Sequence, residues 1–299
     1  MRLVSYEAEG RWRAGIVRGD AVVDAEAAFR QARIGGAEET WRCNRAIIQA
    51  SDSDRAAVAR AAAEIESAAM PLAKLRLGPP IPEPEKILCM GLNYRDHAAE
   101  SNLSLPEAPL FFAKFRNSLI GHGEPIVLPA ASRQVDYEAE LAVVIGRRCR
   151  EVGVEQALDY VGGATAFNDV SARDLQMQVS QWTMGKAIDS FAPCGPALVL
   201  MDELPDLQSL GIRARVNGDT LQDANTSLMI FGVAEAIAFL TRVMTLEPGD
   251  IIATGTPAGV GMARKPPVFL SEGDVVEVEI DGIGTLRNPV RADGRGGPA

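Results

Sequence analysis

Two acids spaced by one residue, Glu138 and Glu140, lie in the run Val135-Asp136-Tyr137-Glu138-Ala139-Glu140-Leu141-Ala142-Val143-Val144-Ile145. The β-branched residues that close this run and the glycine that follows it are those of a buried strand. Side chains alternate faces along a strand, so Glu138 and Glu140 point the same way, with Ala142 and Val144 beyond them. Tyr137, Leu141, Val143 and Ile145 occupy the other face. Both faces are apolar past residue 140, so two carboxylates enter an interior from the start of the strand. Unpaired, they would be costly to bury and would repel each other, and a bound cation relieves both problems. On the E-x-E alone, a strand mouth with two solvated acids is the plainer reading. Asp169 changes the balance. It follows the apolar, glycine-bearing stretch Val161 to Phe167 and precedes helix-forming residues, which puts it at a strand end. Three carboxylates with no nearby Cys or His form a hard, all-oxygen donor set suited to Mg²⁺ or Mn²⁺, with Ca²⁺ also compatible. Three protein ligands would leave about three of six octahedral positions open.

Other segments carry groups that could act beside such an ion. In Gly91-Leu92-Asn93-Tyr94-Arg95-Asp96-His97-Ala98-Ala99-Glu100, the i,i+3 spacing makes His97 and Glu100 neighbours on a helix. A carboxylate beside an imidazole fixes its tautomer and raises its basicity, as a general base requires. A surface pair of small energetic value has the same spacing. His122, between two glycines, reads as a loop residue. Lys186 sits among glycine and apolar residues, where an ammonium needs an anion such as a keto-acid carboxylate or a developing enolate. The run Gly249 to Gly261 is a strand entering a glycine-rich loop. It lacks the G-K-[ST] ending of a nucleotide cradle, and its amides and the Thr256 hydroxyl could hold a small carboxylate.

The elements around these groups divide the chain once. Residues 1–77 form a small N-terminal unit: short strands over 1–24, then an Ala-rich amphipathic helix from about Ser51 to Leu75, capped by Ser51 or Asp52. The proline-rich stretch 78–85 is a linker, residues 86–291 alternate strands with turns, and 292–299 form a Gly/Pro-rich, disordered tail. Helical pattern after residue 86 is confined to about 94–102, 154–160, 170–181 and 233–243. With 299 residues and 47% apolar composition the chain can bury a large core. A net charge of −10 with no basic run argues against nucleic acid or an anionic membrane as partner. Four scattered cysteines without C-x-x-C spacing, no signal sequence and no apolar stretch of ~18 residues fit a protein of the reducing cytoplasm.

Taken in order, G-x-N-Y-x-x-H-x-x-E, F-x-K at Phe112 to Lys114, D-Y-E-x-E-L, N-D-V-S-A-R-D-x-Q, G-K-x-x-D-x-F-x-P-x-G-P and T-G-T-P-x-G-V-G resemble the fumarylacetoacetate hydrolase family over roughly Lys86 to Pro289. The resemblance implies an α+β, β-rich fold: a mixed β-sandwich or β-roll catalytic domain with a small N-terminal α/β domain, assembled as a homodimer. It implies Glu138, Glu140 and Asp169 as metal ligands and His97 with Glu100 as a dyad on a lid. Lys186, Arg173, Gln176, Lys114 and Thr256 would line the substrate. Asn117-Ser118 departs from the pair of small hydroxyl residues that many members carry.

The activity so implied is metal-dependent hydrolysis of a C–C bond in an acylpyruvate-type or 2,4-diketo acid. His97, oriented by Glu100, would deprotonate the attacking water, and a pyruvate-like enolate would leave beside Lys186. The same site chemistry without water attack gives decarboxylation of oxaloacetate or isomerisation of a 2-hydroxyhepta-2,4-diene-1,7-dioate. A metal-stabilised assembly module without catalysis is the alternative of a different class, and the retention of His97, Glu100 and Lys186 argues against it. The segment Ser101 to Pro109, polar and proline-bearing, reads as a closing loop that is displaced or disordered without ligand.

Overall fold

The computed structural model describes residues 1–35, 43–66, 69–100 and 104–294. Its centre is the strand Ala139–Ile145, every residue of which is buried. It pairs antiparallel with Val161–Asn168 on one side and with Ile251–Ala253 on the other. The alternation read from the sequence is realised on two cores. Tyr137, Ala139, Leu141, Val143 and Ile145 enter one apolar cluster, and Ala142 and Val144 enter another.

The first cluster lies between two sheets. One is a large sheet that runs from Ala69–Pro71 through Ala21–Asp24, Arg11–Arg18, Arg2–Ala8, Ala192–Leu200 and Val161–Asn168 to the central strand. It continues through Ile251–Ala253 and Ile87–Gly91 to Leu110–Lys114. The other has five strands in the order Asp219–Asn225, Gly211–Val216, Val275–Ile280, Gly284–Ala292 and Ile126–Leu128. Parallel pairs such as Ile251–Ala253 with Ile87–Gly91 make both sheets mixed. This is the β-rich α+β sandwich expected. The second cluster packs the other face of the large sheet against N-terminal helices through Phe29, Ile47 and Val58.

The N-terminal strands fall where the turn residues place them. The expected long helix is shorter, Asp52–Glu64, with Ser51 Oγ accepting from Asp54 N. Beyond it, Ala69–Pro71 is a strand paired with Ala21–Val23, and Leu72–Lys74 is a 3₁₀ turn. Pro71 cannot donate to a helix and pushes Met70 toward extended backbone, which keeps this later part of the expected helix extended. Leu77-Gly78 pairs with Ser5-Tyr6, and Pro80 O accepts from Ser5 and Asn44. The proline-rich stretch is thereby fastened to the N-terminal strands. At the far end Ala292 still belongs to a strand opposite Leu128, whereas residues 295–299 of the expected tail lie outside the described residues. Among the described residues no helix is long and apolar enough to cross a membrane.

The central strand is the mechanical reference for everything that follows. Leu141 is fully buried on its inter-sheet face. Leu141→Ala should destabilise the protein by ~2–5 kcal/mol, read as a lower urea midpoint at unchanged slope.

Candidate metal and active site

Strand pairing brings the acids together. Register sets Ala139 opposite Asn168, so the start of one strand meets the end of the other. Asp169 N donates to Glu138 O at 3.0 Å, and Glu138 N donates to Asn168 Oδ1 at 3.0 Å. Glu138, Glu140 and Asp169 consequently offer carboxylate oxygens that all lie within 4.8 Å of one another, and all three residues are buried. The parallel pairing of Ile251–Ala253 with Ile87–Gly91 makes both strands end on the same side of the sheet. The His97 helix, Arg95–Glu100, and the glycine loop after Ala253 therefore emerge beside the triad.

Cations surround the triad unevenly. Lys186 Nζ lies 2.7 Å from Glu138 Oε2 and 2.6 Å from Asp169 Oδ2, and 5.0 Å from the Phe112 ring centroid. Its place depends on Gly185, where a Cβ would meet Gln176 Cβ at 2.6 Å and Ala172 O at 2.7 Å. Only glycine lets the Thr183–Lys186 turn lie against Arg173–Gln176. Arg173 Nη2 donates to Glu138 Oε1 at 2.7 Å, and its Nε donates to Asp136 Oδ2 at 2.9 Å. Lys114 pairs with Asp169 Oδ1 and donates to Val170 O at 3.0 Å. Three buried cations thus face four buried carboxylates, counting Asp136. The acid left over is Glu140. Among the described residues its carboxylate accepts one backbone N–H, from Gly255 at 2.9 Å, and has no ion-pair partner.

The titration behaviour follows this imbalance. Burial pushes the Glu138 carboxyl up, but Lys186 and Arg173 overcome it and hold Glu138 below the ordinary range. Burial, then the charges of Asp169 and Glu138, lift Glu140 well above it. Burial disfavours the charged Lys186, yet Asp169 and Glu138 keep its ammonium pKa raised. At Lys114 burial wins and the pKa is lowered. An isolated buried carboxylate between two others, all hard oxygen donors, fits a divalent cation.

A cavity of ≈ 120 Å³ opens over the acids, lined by Glu138, Glu140, Asp169, Arg173, Gln176, Lys186, His97 and Thr256 on its polar side. Met90, Leu92, Phe112, Met177, Trp182 and Met262 form an apolar wall. His97 is buried, and its Nδ1 lies 2.8 Å from Glu100 Oε1. With Nδ1–H donating to the carboxylate, Nε2 is left as the basic nitrogen. Glu100 Oε2 accepts from Gly259 N at 2.9 Å, which docks the helix on the glycine loop. Residues 101–103 of the expected closing loop lie outside the described residues.

The sequence-derived residues therefore gather in one place, with differences in role. Lys114 stands behind Asp169, away from the cavity lining. The Thr256 hydroxyl already donates to Ala139 O at 2.9 Å and accepts from Gln222 Nε2 at 2.8 Å, so it braces the central strand. Asn117 braces the Ala187–Asp189 loop, through Ala187 O at 3.0 Å and Asp189 Oδ1 at 2.8 Å. His122, outside this site, accepts from Arg287 N at 3.2 Å. Asp136 and Asn93 were missed. Asn93 donates to Thr254 O at 2.7 Å and Phe231 O at 3.0 Å, pinning the root of the His97 helix. For Asp136 the available signal was a third acid beside the E-x-E pair.

Residues 86–291 match the family model described as "Fumarylacetoacetate (FAA) hydrolase C-terminal". The chain belongs to the fumarylacetoacetate hydrolase family. An oxaloacetate tautomerase of Xenopus laevis, named fahd2 and mitochondrial, is 51% identical over 213 residues, covering 71% of this chain and 67% of the relative. The solved 2-hydroxyhepta-2,4-diene-1,7-dioate isomerase of Mycobacterium marinum has a TM-score of 0.75 at 34% identity and covers 99% of this chain and 100% of its own. The maleylpyruvate hydrolase of Sphingobium sp. SYK-6, solved with manganese(II) and pyruvate, has a TM-score of 0.79 at 33% identity, covering 98% of this chain and 99% of its own. Family members thus include isomerising and hydrolysing enzymes on one scaffold.

The isolated Glu140 charge gives the metal-free protein a pH signature. A carboxyl whose folded pKa is raised binds its proton more tightly folded than unfolded, so its contribution to stability falls as pH rises from the ordinary carboxylate range. With chelator present, Glu140→Gln should melt above wild type at neutral pH, and the two should converge in acid. Calorimetry showing the same difference at both pH values would contradict this electrostatic reading.

Proposed function

We propose that this protein is a divalent-metal-dependent enzyme that moves a proton at the carbon beside the keto group of a small 2-oxo acid. The observation that carries the reading is the uncompensated Glu140 within a buried carboxylate triad, facing an oriented imidazole. Mg²⁺ or Mn²⁺ held by Glu138, Glu140 and Asp169 would act as a Lewis acid on the keto and carboxylate oxygens of the substrate.

The protein's own groups account for the proton steps. His97 Nε2 takes the proton from C3 of the 2-oxo acid, and Glu100 stabilises the imidazolium through Nδ1–H. Negative charge then develops on the C2 oxygen, within the field of the Lys186 ammonium. The imidazolium returns the proton to that oxygen and the enol forms. Arg173 and Gln176 supply polar lining and Trp182 and Met177 apolar lining, which would limit the water around a bound acid. The small cavity and the kinship with oxaloacetate tautomerases support keto–enol tautomerisation of oxaloacetate as the reaction.

A second reading is C–C hydrolysis of an acylpyruvate-type 2,4-diketo acid. It is favoured by the apolar wall and by the pairing of both lining cations, Arg173 and Lys186, which leaves an alkyl tail better served than a second carboxylate. There His97 would take its proton from water instead of C3. We also propose a homodimer, supported by the exposed apolar side chains Phe115, Met177 and Met184, of which Met177 also lines the cavity.

A panel of oxaloacetate and acylpyruvates, assayed with Mg²⁺ and Mn²⁺, separates the two readings. His97→Ala should lose ~10²–10⁴-fold in turnover of whichever substrate is native while retaining metal affinity. Wild-type turnover with saturating metal would refute the dyad. Light scattering should give the mass of two chains, and a monomer mass at micromolar concentration would remove the dimer.

A further inference from the structure

Asp136 is fully buried and accepts four N–H groups. Its Oδ1 accepts from Tyr137 N at 2.9 Å and Gly261 N at 2.7 Å, and its Oδ2 from Met262 N at 3.0 Å and Arg173 Nε at 2.9 Å. It lies on the short strand Val135–Asp136, paired with Ser171–Ala172, at the edge of the carboxylate triad but not in it. One side chain thus grips the arginine that holds Glu138 and the loop that supports the His97 helix. Tyr137 adds to the grip, its hydroxyl donating to Gly259 O at 3.0 Å.

The loop fits this place closely. Gly259 has φ +103, and a Cβ there would meet Leu221 O at 2.2 Å; at Gly261 a Cβ would meet Val268 O at 1.9 Å and Asp136 Oδ1 at 2.5 Å. Glycine lets the loop press onto Asp136 and turn the Gly259 N–H toward Glu100 Oε2. A continuous path therefore joins Asp136, the Gly259–Met262 loop, Glu100 and His97. Met262 on that path also lines the cavity.

We propose that Asp136 is a positioning residue which, through the 259–262 loop, sets where Glu100 and hence His97 dock over the triad, while fixing Arg173 against Glu138. This rests on His97 acting from a docked helix. A carboxylate can accept all four N–H groups at once, whereas a carboxamide in the same place has one acceptor atom fewer and turns an N–H₂ toward donors. The loop, not the triad, would loosen first.

The test uses the intact protein with saturating Mg²⁺ and Asp136→Asn, with Tyr137→Phe as a milder variant. Amide exchange at Gly259, Gly261 and Met262, the ¹⁵N shifts of the His97 ring and Mg²⁺ affinity are read without substrate, so they stand whichever reaction is native. Asp136→Asn should speed exchange at these amides and mix the His97 tautomers. Turnover should fall ~10–100-fold, mainly in kcat. Tyr137→Phe should do the same to a smaller degree, about fivefold. Asp136→Glu should not rescue, because the extra methylene cannot fit under Gly261. Should Asp136→Asn instead leave the His97 ring shifts and loop exchange at wild-type values, or should it act only by abolishing Mg²⁺ binding, the proposal is overturned. If Asp136→Asn fails to fold, unchanged loop exchange and His97 shifts in Tyr137→Phe overturn it equally.

Discussion

The mutual repulsion of three carboxylates in a dry interior is the constraint on which the rest of this structure depends. Lys186, Lys114 and Arg173 neutralise Glu138 and Asp169, and they leave Glu140 with one backbone amide. A protein with no use for that charge would replace it by an apolar residue at no loss, since buried ions are weak sources of stability. Its place on a fully buried strand supports the proposed cation site. In the proposed function Lys186 then has two tasks, to hold the acids in place and to present positive charge to an anionic substrate, whereas Lys114 has only the first.

The fold delivers this arrangement by strand ends. Glu138 and Asp169 meet because antiparallel pairing sets the start of one strand against the end of its neighbour. The His97 helix and the glycine loop meet above them because a parallel pair ends both strands on one side. Sheet interior supplies rigidity and loops supply chemistry, a division common to enzymes whose reacting groups must be held within fractions of an ångström. Asn93, Gln222 and Asp136 are the polar side chains that tie those loops back to the sheet.

Period-two alternation made the facing of Glu138 and Glu140 legible in the sequence, since a one-residue slip would expose the whole apolar set. The strand end at Asp169 and the short helices near residues 95, 154 and 233 were legible for similar local reasons. The alanine-rich helix was overrun because alanine spacing signals helix without marking where it stops; it ends at Glu64, and Pro71 keeps helix only from the segment beyond. The roles of Lys114 and Thr256 could not be separated by type. A lysine behind a ligand acid and one facing substrate look alike until tertiary contacts are known. Asp136 was hidden for a further reason: two of its partners, Gly261 and Met262, lie more than a hundred residues away, in a loop whose glycines showed only that the backbone turned.

Mn²⁺ bound to the crystalline protein and located by its anomalous scattering tests the central claim most directly. One strong peak should lie among the carboxylate oxygens of Glu138, Glu140 and Asp169, at about 2.0–2.2 Å from an oxygen of each. A saturated crystal with no peak there, or with manganese elsewhere, would contradict the account.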